Sequence, residues 1–188
     1  MKFPLTYTLV LLVLSIGLVM SYPYFLKDKA EMLWGPIKGN LRKFYYFSIG
    51  LVFVGFLPFA YFLLTCDKWN EKEIQGIFYA MMLLIVASWF WIVFSIQFAE
   101  EKSQKSCISP KAIGASDKVA WLLQLLRVII VLLLLTVSLS ILNLMLIVKN
   151  HSSVHFKEMK DVVMYGLGYG FFHTFFLDFI LWAKWVLF

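Results

Sequence analysis

Residues 119–148 read VAWLLQLLRVIIVLLLLTVSLSILNLMLIV, and this stretch decides the fold. It holds a single charge, Arg127, in a predominantly apolar run that no proline interrupts. At 1.5 Å per residue such a helix would be roughly 45 Å long, against a hydrocarbon core of about 30 Å. We therefore place the first turns, through Arg127, among the lipid headgroups and predict a membrane span over residues 128–148.

The composition extends this interpretation to the whole chain. Hydrophobic residues make up 62% of the 188 residues, charged residues 15%, and the mean hydropathy is +0.82. Soluble domains are about 45–50% apolar, and a water-soluble fold of this size could not hide the excess. The sequence predicts an all-α, polytopic integral membrane helix bundle.

Four further apolar stretches complete the predicted bundle. We expect five transmembrane helices in one transmembrane domain covering residues 1–188, with a kink in the second at Pro58. Residues 32–37 are too short to span and are interpreted as interfacial. The predicted spans are about 5–20, 44–65, 74–98, 128–148 and 162–188.

The basic residues predict an orientation. With five spans, six of the 17 Lys and Arg residues fall on the side of the N-terminus and eleven on the other side. The positive-inside rule then places the N-terminus outside and the C-terminus in the cytoplasm. A cleaved signal peptide is disfavoured, because it would translocate the basic segment after the first span. The net charge of +6 is attributed to these flanks and not to a nucleic-acid partner.

Asp178 is the most informative polar residue, because an acid inside a span is costly and needs a partner. His173 is five residues away, which is about 140° around a straight α-helix, so the two are not expected to pair directly. Thr174 one turn back, Trp182 one turn on and Arg127 on another helix are the partners we consider. Asp178 could act as a proton relay or cation site, or accept a buried structural hydrogen bond.

Thr136, Ser140 and Asn143 are spaced i, i+4, i+7 and share one face of the fourth span. They could line a polar pathway or hydrogen-bond between helices. In the fifth span Gly166 and Gly170 form a GxxxG pair, which predicts close packing of this face against another helix.

Chemical motifs are sparse. Asn150 begins an Asn-His-Ser glycosylation sequon on the predicted outer side, close to the membrane. His151 and His155 have metal-ligand spacing without a third ligand, and Cys66 and Cys107 belong to no CxxC pair. We find no hydrolase, metalloprotease, nucleotide-binding or potassium-channel motif, and we predict no catalytic residue, metal or cofactor.

Three functional hypotheses follow. The first is a non-enzymatic accessory subunit or assembly factor that acts through helix contacts. The second is a small transporter, channel or lipophile-binding protein that uses Asp178 and the polar face of the fourth span. The third is a lipid-modifying enzyme. The expected partners are the lipid bilayer and a membrane protein or a second copy of the chain.

The small size, the five predicted spans and the many Trp and Tyr residues resemble the translocator-protein family in outline. None of that family's sequence motifs can be placed on this chain. The resemblance therefore implies a five-helix membrane bundle and no ligand or site residue.

Overall fold

A computed structural model describes residues 1–26, 39–66, 68–107, 113–151 and 157–182. The described chain is all-α, as predicted, and contains no strand. The interfacial stretch predicted at residues 32–37 lies outside the described residues. The helices are α1 (Leu5–Leu26), α2 (Gly39–Thr65), α3 (Glu71–Cys107), α4 (Ile113–Asn150) and α5 (Lys157–Phe172), which continues as a π-helix (His173–Trp182).

Three helical segments are long and apolar enough to cross a membrane, namely Gly39–Thr65, Glu71–Lys102 and Ala120–Asn150. A shorter apolar segment covers Leu5–Ser21 in α1. The helices extend beyond the predicted spans. For example, α3 continues to Cys107, whereas the span predicted from the sequence ends near residue 98. Much of the polar stretch between the third and fourth spans is therefore helical.

The helices pack in a defined order. The longest interface joins α3 and α4; α1 lies on α3, and α5 lies on α4 and α2. The π-helix contacts both α4 and α2. α1 packs on α3 whereas α2 packs on α5 and the π-helix, and a groove remains between α1 and α2.

One end of the bundle gathers the termini of all five helices. Backbone hydrogen bonds join Met1 and Trp69 in both directions, at 2.9 and 3.0 Å. His151, just after α4, contacts residues at the end of α2 and the start of α3. Lys160 in α5 donates to the carbonyl oxygen of His151 at 2.5 Å. The five helices therefore alternate in direction.

The contact between α2 and α5 depends on two glycines. The backbone of Gly166 touches that of Gly55, and a Cβ added at Gly166 would overlap the Gly55 carbonyl oxygen. A Cβ at Gly170 would lie 3.3 Å from the Phe56 ring, whereas one at Gly168 would meet only the Met145 methyl group at 3.7 Å. The GxxxG face of α5 thus lies on α2. The helix α2 contains Pro58 and continues past it to Thr65.

The outer surface of the bundle is apolar. Large hydrophobic side chains are exposed along α1 to α5, among them Leu5, Phe47, Val54, Leu139 and Tyr165. Soluble monomers rarely expose contiguous apolar patches beyond a few hundred Å². This surface, together with the three long apolar segments, is compatible with a bilayer around the bundle.

Candidate functional site

A groove of about 470 Å³ lies between α1 and α2, with α3 and α4 behind it. Its walls are almost entirely aliphatic and aromatic, and none of the described residues that line it is a Lys or Arg. The groove extends from Phe3 and Leu64 at one end to Val19 and Ile49 at the other. The polar side chains that line it are Thr8, Ser15, Ser88, His173, Thr174 and Asp178.

His173 and Asp178 meet on the groove wall, contrary to the expectation from α-helical spacing. His173 Nε2 lies 3.5 Å from Asp178 Oδ1, and both side chains are largely buried. The expectation of a 140° separation assumed a straight α-helix and was wrong, because the chain from His173 is a π-helix. In a π-helix residue i bonds to residue i+5, which is the spacing of this pair.

The other ring nitrogen of His173 is held from α2. His173 Nδ1 lies 2.7 Å from the Ser48 hydroxyl, which is also 2.7 Å from the hydroxyl of Tyr169. Tyr45 packs against the imidazole, with ring centroids 5.1 Å apart. Ser48 and Tyr45 thereby fix the ring so that Nε2 is directed to Asp178 and the groove.

Two proton arrangements satisfy this chain of hydroxyl and imidazole groups. In one, Ser48 donates to His173 Nδ1, and Nε2–H is directed at Asp178. In the other, Nδ1–H donates to Ser48, and the Nε2 lone pair can accept from a hydroxyl in the groove. Asp178 Oδ1 is buried and has no hydrogen-bond partner within the described chain. The wall of the groove therefore offers unused hydrogen-bonding capacity.

The other intramembrane candidates lie apart from this pair. The hydroxyl of Thr174 donates to the Gly170 carbonyl oxygen at 2.9 Å, although Thr174 also lines the groove. The guanidinium of Arg127 lies over the Phe98 ring, 6.0 Å from its centroid, and its buried Nε has no hydrogen-bond partner among the residues that the structure describes. Arg127 is thus not placed as the partner of Asp178.

The predicted polar face of α4 does not form a row inside the bundle. The Thr136 and Ser140 hydroxyls donate to carbonyl oxygens one turn back in α4, and Asn143 is exposed on the outer surface. Only the nearby apolar residues Leu134, Val137 and Ile141 reach the groove.

A second cluster of reactive groups, the thiol cluster, contains Cys66, His151 and Glu73. His151 Nε2 lies 3.2 Å from Cys66 Sγ, and His151 Nδ1 lies 3.0 Å from Glu73 Oε1. The rings of Trp69 and Phe62 cover the imidazole, with centroids at 4.3 and 5.9 Å.

Sequence reasoning missed this cluster because its members are 78 and 85 residues apart. One local signal was present: Asn70 and Glu73 have the spacing of a helix capping box, which marks the start of α3. His155, which has metal-ligand spacing with His151, lies outside the described residues, and the nearby acids Glu158 and Asp161 of α5 are exposed. Asn150 is exposed at the end of α4.

Within the described ranges, no group of three or more His, Cys, Asp or Glu side chains is arranged to hold a metal ion. In the thiol cluster the imidazole bridges the thiol and the carboxylate through its two opposite nitrogens, which is the geometry of a proton relay and not of a shared metal.

Comparison with protein-family models, with curated proteins and with solved structures gives no match for this chain. The groove and the two clusters therefore have to be interpreted from their own chemistry.

Proposed function

We propose that this chain is a lipophile-binding membrane protein that holds a neutral, hydroxyl-bearing lipid-like molecule in the groove between α1 and α2. The observation that carries the proposal is the groove itself, with His173 and Asp178 on an otherwise apolar wall. Small-molecule sites are typically cavities of about 300–1,000 Å³, mostly apolar, with a few placed polar groups.

The lining also favours a neutral headgroup. Burying an ionised group without a counter-charge is costly, and the described part of the chain places no Lys or Arg on the groove wall to pair with a carboxylate or phosphate. A hydroxyl can donate its one hydrogen to Asp178 while its oxygen accepts from the Nε2–H of His173, so it uses both groups.

Filling the groove should abolish binding. Ala60 lines the groove on α2, so Ala60→Trp is expected to lower equilibrium binding of tritiated oleyl alcohol to the purified protein by more than tenfold. Val54→Trp is the matched control, because Val54 lies on the same helix, is 60% exposed and does not line the groove. Equal binding by the two variants would contradict the proposed site.

The headgroup preference can be tested with a matched pair of ligands. Oleyl alcohol should bind more tightly than oleate, which differs only in its charged headgroup. Asp178→Leu should leave the fold intact and weaken oleyl alcohol binding about tenfold, the equivalent of one hydrogen bond of roughly 1.4 kcal/mol. Preference for oleate, or unchanged affinity in Asp178→Leu, would count against the polar contact.

We also propose that all five helices cross the membrane with the N-terminus outside and the C-terminus in the cytoplasm. The alternating helix directions and the distribution of basic residues support this topology. It places Lys72, at the gathered end of the bundle, outside, and Lys43, at the start of α2, inside.

Labelling of single cysteines tests this orientation. The two test positions, Lys72 and Lys43, are both exposed and lie at opposite ends of the bundle. In a background without Cys66 and Cys107, an impermeant maleimide added to intact cells should label Lys72→Cys, which is outside, and should not label Lys43→Cys, which is inside. Permeabilised cells should show labelling of both. The reverse pattern in intact cells would invert the topology.

The accessory-subunit hypothesis remains a prediction about a membrane-protein partner or a second copy of the chain. Purification from native membranes in mild detergent addresses it together with the lipophile proposal. A stoichiometric protein partner would favour the accessory subunit, and a retained hydroxyl-bearing lipid would favour the binding protein.

A further inference from the structure

We propose that Cys66 is a nucleophilic thiol that accepts a long-chain acyl group from an activated acyl ester, with His151 as its base. The inference rests in part on the proposed function, because the acyl chain would occupy the same groove. It adds a covalent step at the end of the bundle opposite His173 and Asp178.

The order of the groups is that of an activated nucleophile. The Glu73 carboxylate faces His151 Nδ1 at 3.0 Å and accepts its proton in a hydrogen bond. This leaves the Nε2 lone pair for the Cys66 thiol at 3.2 Å. A nucleophile, a base and a carboxylate that orients the base form the arrangement that activates Ser and Cys in acyl-transfer enzymes.

The carboxylate is itself held in place. Glu73 Oε2 accepts from the backbone N–H of Asn70 at 2.9 Å, and the Asn70 side-chain oxygen accepts from the backbone N–H of Glu73 at 2.8 Å. This capping box starts α3 and leaves Glu73 Oε1 for the imidazole. Glu73 is therefore a positioning residue that acts through His151.

Cys66 is only 1% exposed, so its substrate has to arrive by a route other than bulk water. The backbone N–H of Cys66 bonds to Phe62, so the helical turn of α2 continues through Cys66. Phe59 and Leu63 line the groove and precede Cys66 by seven and three residues, about 20° and 60° around the helix. The groove wall therefore ends one helical turn before the thiol on the same side of α2, and a lipid substrate would have to displace the side chains between them to reach Cys66.

The reaction balances without an oxidant or metal. His151 Nε2 takes the thiol proton, and Cys66 Sγ forms a bond to the carbonyl carbon of the acyl ester. The bond between that carbon and the leaving oxygen or sulfur breaks, and the leaving group takes the proton from His151. The products are S-acyl-Cys66 and a free alcohol or thiol.

The probe for this step is p-nitrophenyl palmitate, added to the purified full-length protein in detergent. We expect a burst of one nitrophenolate per chain and a mass gain of one palmitoyl group at Cys66, removable by neutral hydroxylamine. Cys66→Ala should show no burst. Cys107→Ser should behave as the unmodified protein, because Cys107 ends α3 at the far end of that helix.

The base and its orienting carboxylate give two further readouts. His151→Gln should slow the burst about 100-fold, within the range of general-base contributions. Glu73→Gln keeps an acceptor for the Asn70 N–H and should slow the burst about tenfold without lowering the thermal midpoint appreciably. A burst at the unmodified rate in folded Glu73→Gln and His151→Gln would overturn the proposal, as would acylation that does not require Cys66.

Failure of this inference is distinguishable from failure of the proposed function. Cys66→Ala leaves the groove lining unchanged, so it should still bind oleyl alcohol. Binding of oleyl alcohol without a burst in the unmodified protein would refute the thiol chemistry alone. A burst at Cys66 with no oleyl alcohol binding would refute the lipophile site and leave the thiol chemistry standing.

Discussion

Gly166→Ala is expected to destabilise the folded protein by about 3 kcal/mol, the upper part of the range for overpacked sites. The added Cβ would overlap the carbonyl oxygen of Gly55, and this backbone atom cannot move without shifting α2. The helices would separate, and contacts between α2 and the groove-lining π-helix would loosen with them. Unfolding in detergent, followed by loss of the monodisperse peak on heating, measures the effect.

Gly168→Ala is the matched control on the same helix. Its Cβ would make an ordinary contact with the Met145 methyl group at 3.7 Å, and alanine is a better helix former than glycine by about 1 kcal/mol. Gly168→Ala should therefore be neutral or stabilising. Similar destabilisation by the two variants would show that helix spacing at the Gly55–Gly166 contact is not decisive.

Leucine at the same positions tests the face predicted from the sequence. Gly170→Leu should reduce folded yield more than Gly168→Leu, since the Phe56 ring lies 3.3 Å from a Cβ at Gly170. Equal tolerance of leucine at positions 168 and 170 would contradict packing by the GxxxG face.

Trp69→Ala is expected to cost about 3–5 kcal/mol of stability, the range for removing a buried Phe or Trp side chain. Trp69 is 1% exposed and fills the space between Phe62, at 5.3 Å between centroids, and His151, at 4.3 Å. Its removal leaves a cavity at the end where the five helices meet. Unfolding by SDS titration, followed by circular dichroism, measures the loss.

Trp121→Ala makes the same chemical change at a different site. Trp121 on α4 is 67% exposed, so its removal leaves no cavity and should change the unfolding midpoint little. If Trp121→Ala were as destabilising as Trp69→Ala, the loss of stability would be caused by the removal of any tryptophan and not by the loss of packing around His151.

The helices could be predicted from the sequence because long apolar runs have few alternatives. Residues 119–148 hold one charge in thirty positions, and the structure covers them with a continuous helix. Helix ends were less predictable, since α3 continues to Cys107 through a polar stretch that hydropathy reads as a loop. The pattern of apolar residues predicts which part of a helix is buried in lipid. It does not predict the backbone hydrogen bonds that continue the helix outside the lipid.

The candidate site could be predicted only in part. Asp178 and His173 were identified because intramembrane polar residues are costly, but their pairing was hidden by the assumption of α-helical periodicity. Ser48, which orients His173, lies 125 residues away and has no distinguishing local pattern. Cys66 and His151 are joined in the same way, by long-range packing that composition and spacing do not encode.

The π-helix would couple binding of the proposed ligand to the number of residues in each helical turn. If residues 173–182 closed into an α-helix, Asp178 would turn to about 140° from His173, and the groove wall would lose its acid. A ligand that hydrogen-bonds to both groups would therefore bind the π-helical form in preference to the α-helical form. By thermodynamic linkage the dependence is reciprocal. Bound ligand would shift the equilibrium between the two helical forms toward the π-helix, and a substitution that favours the α-helix would lower the affinity for the ligand.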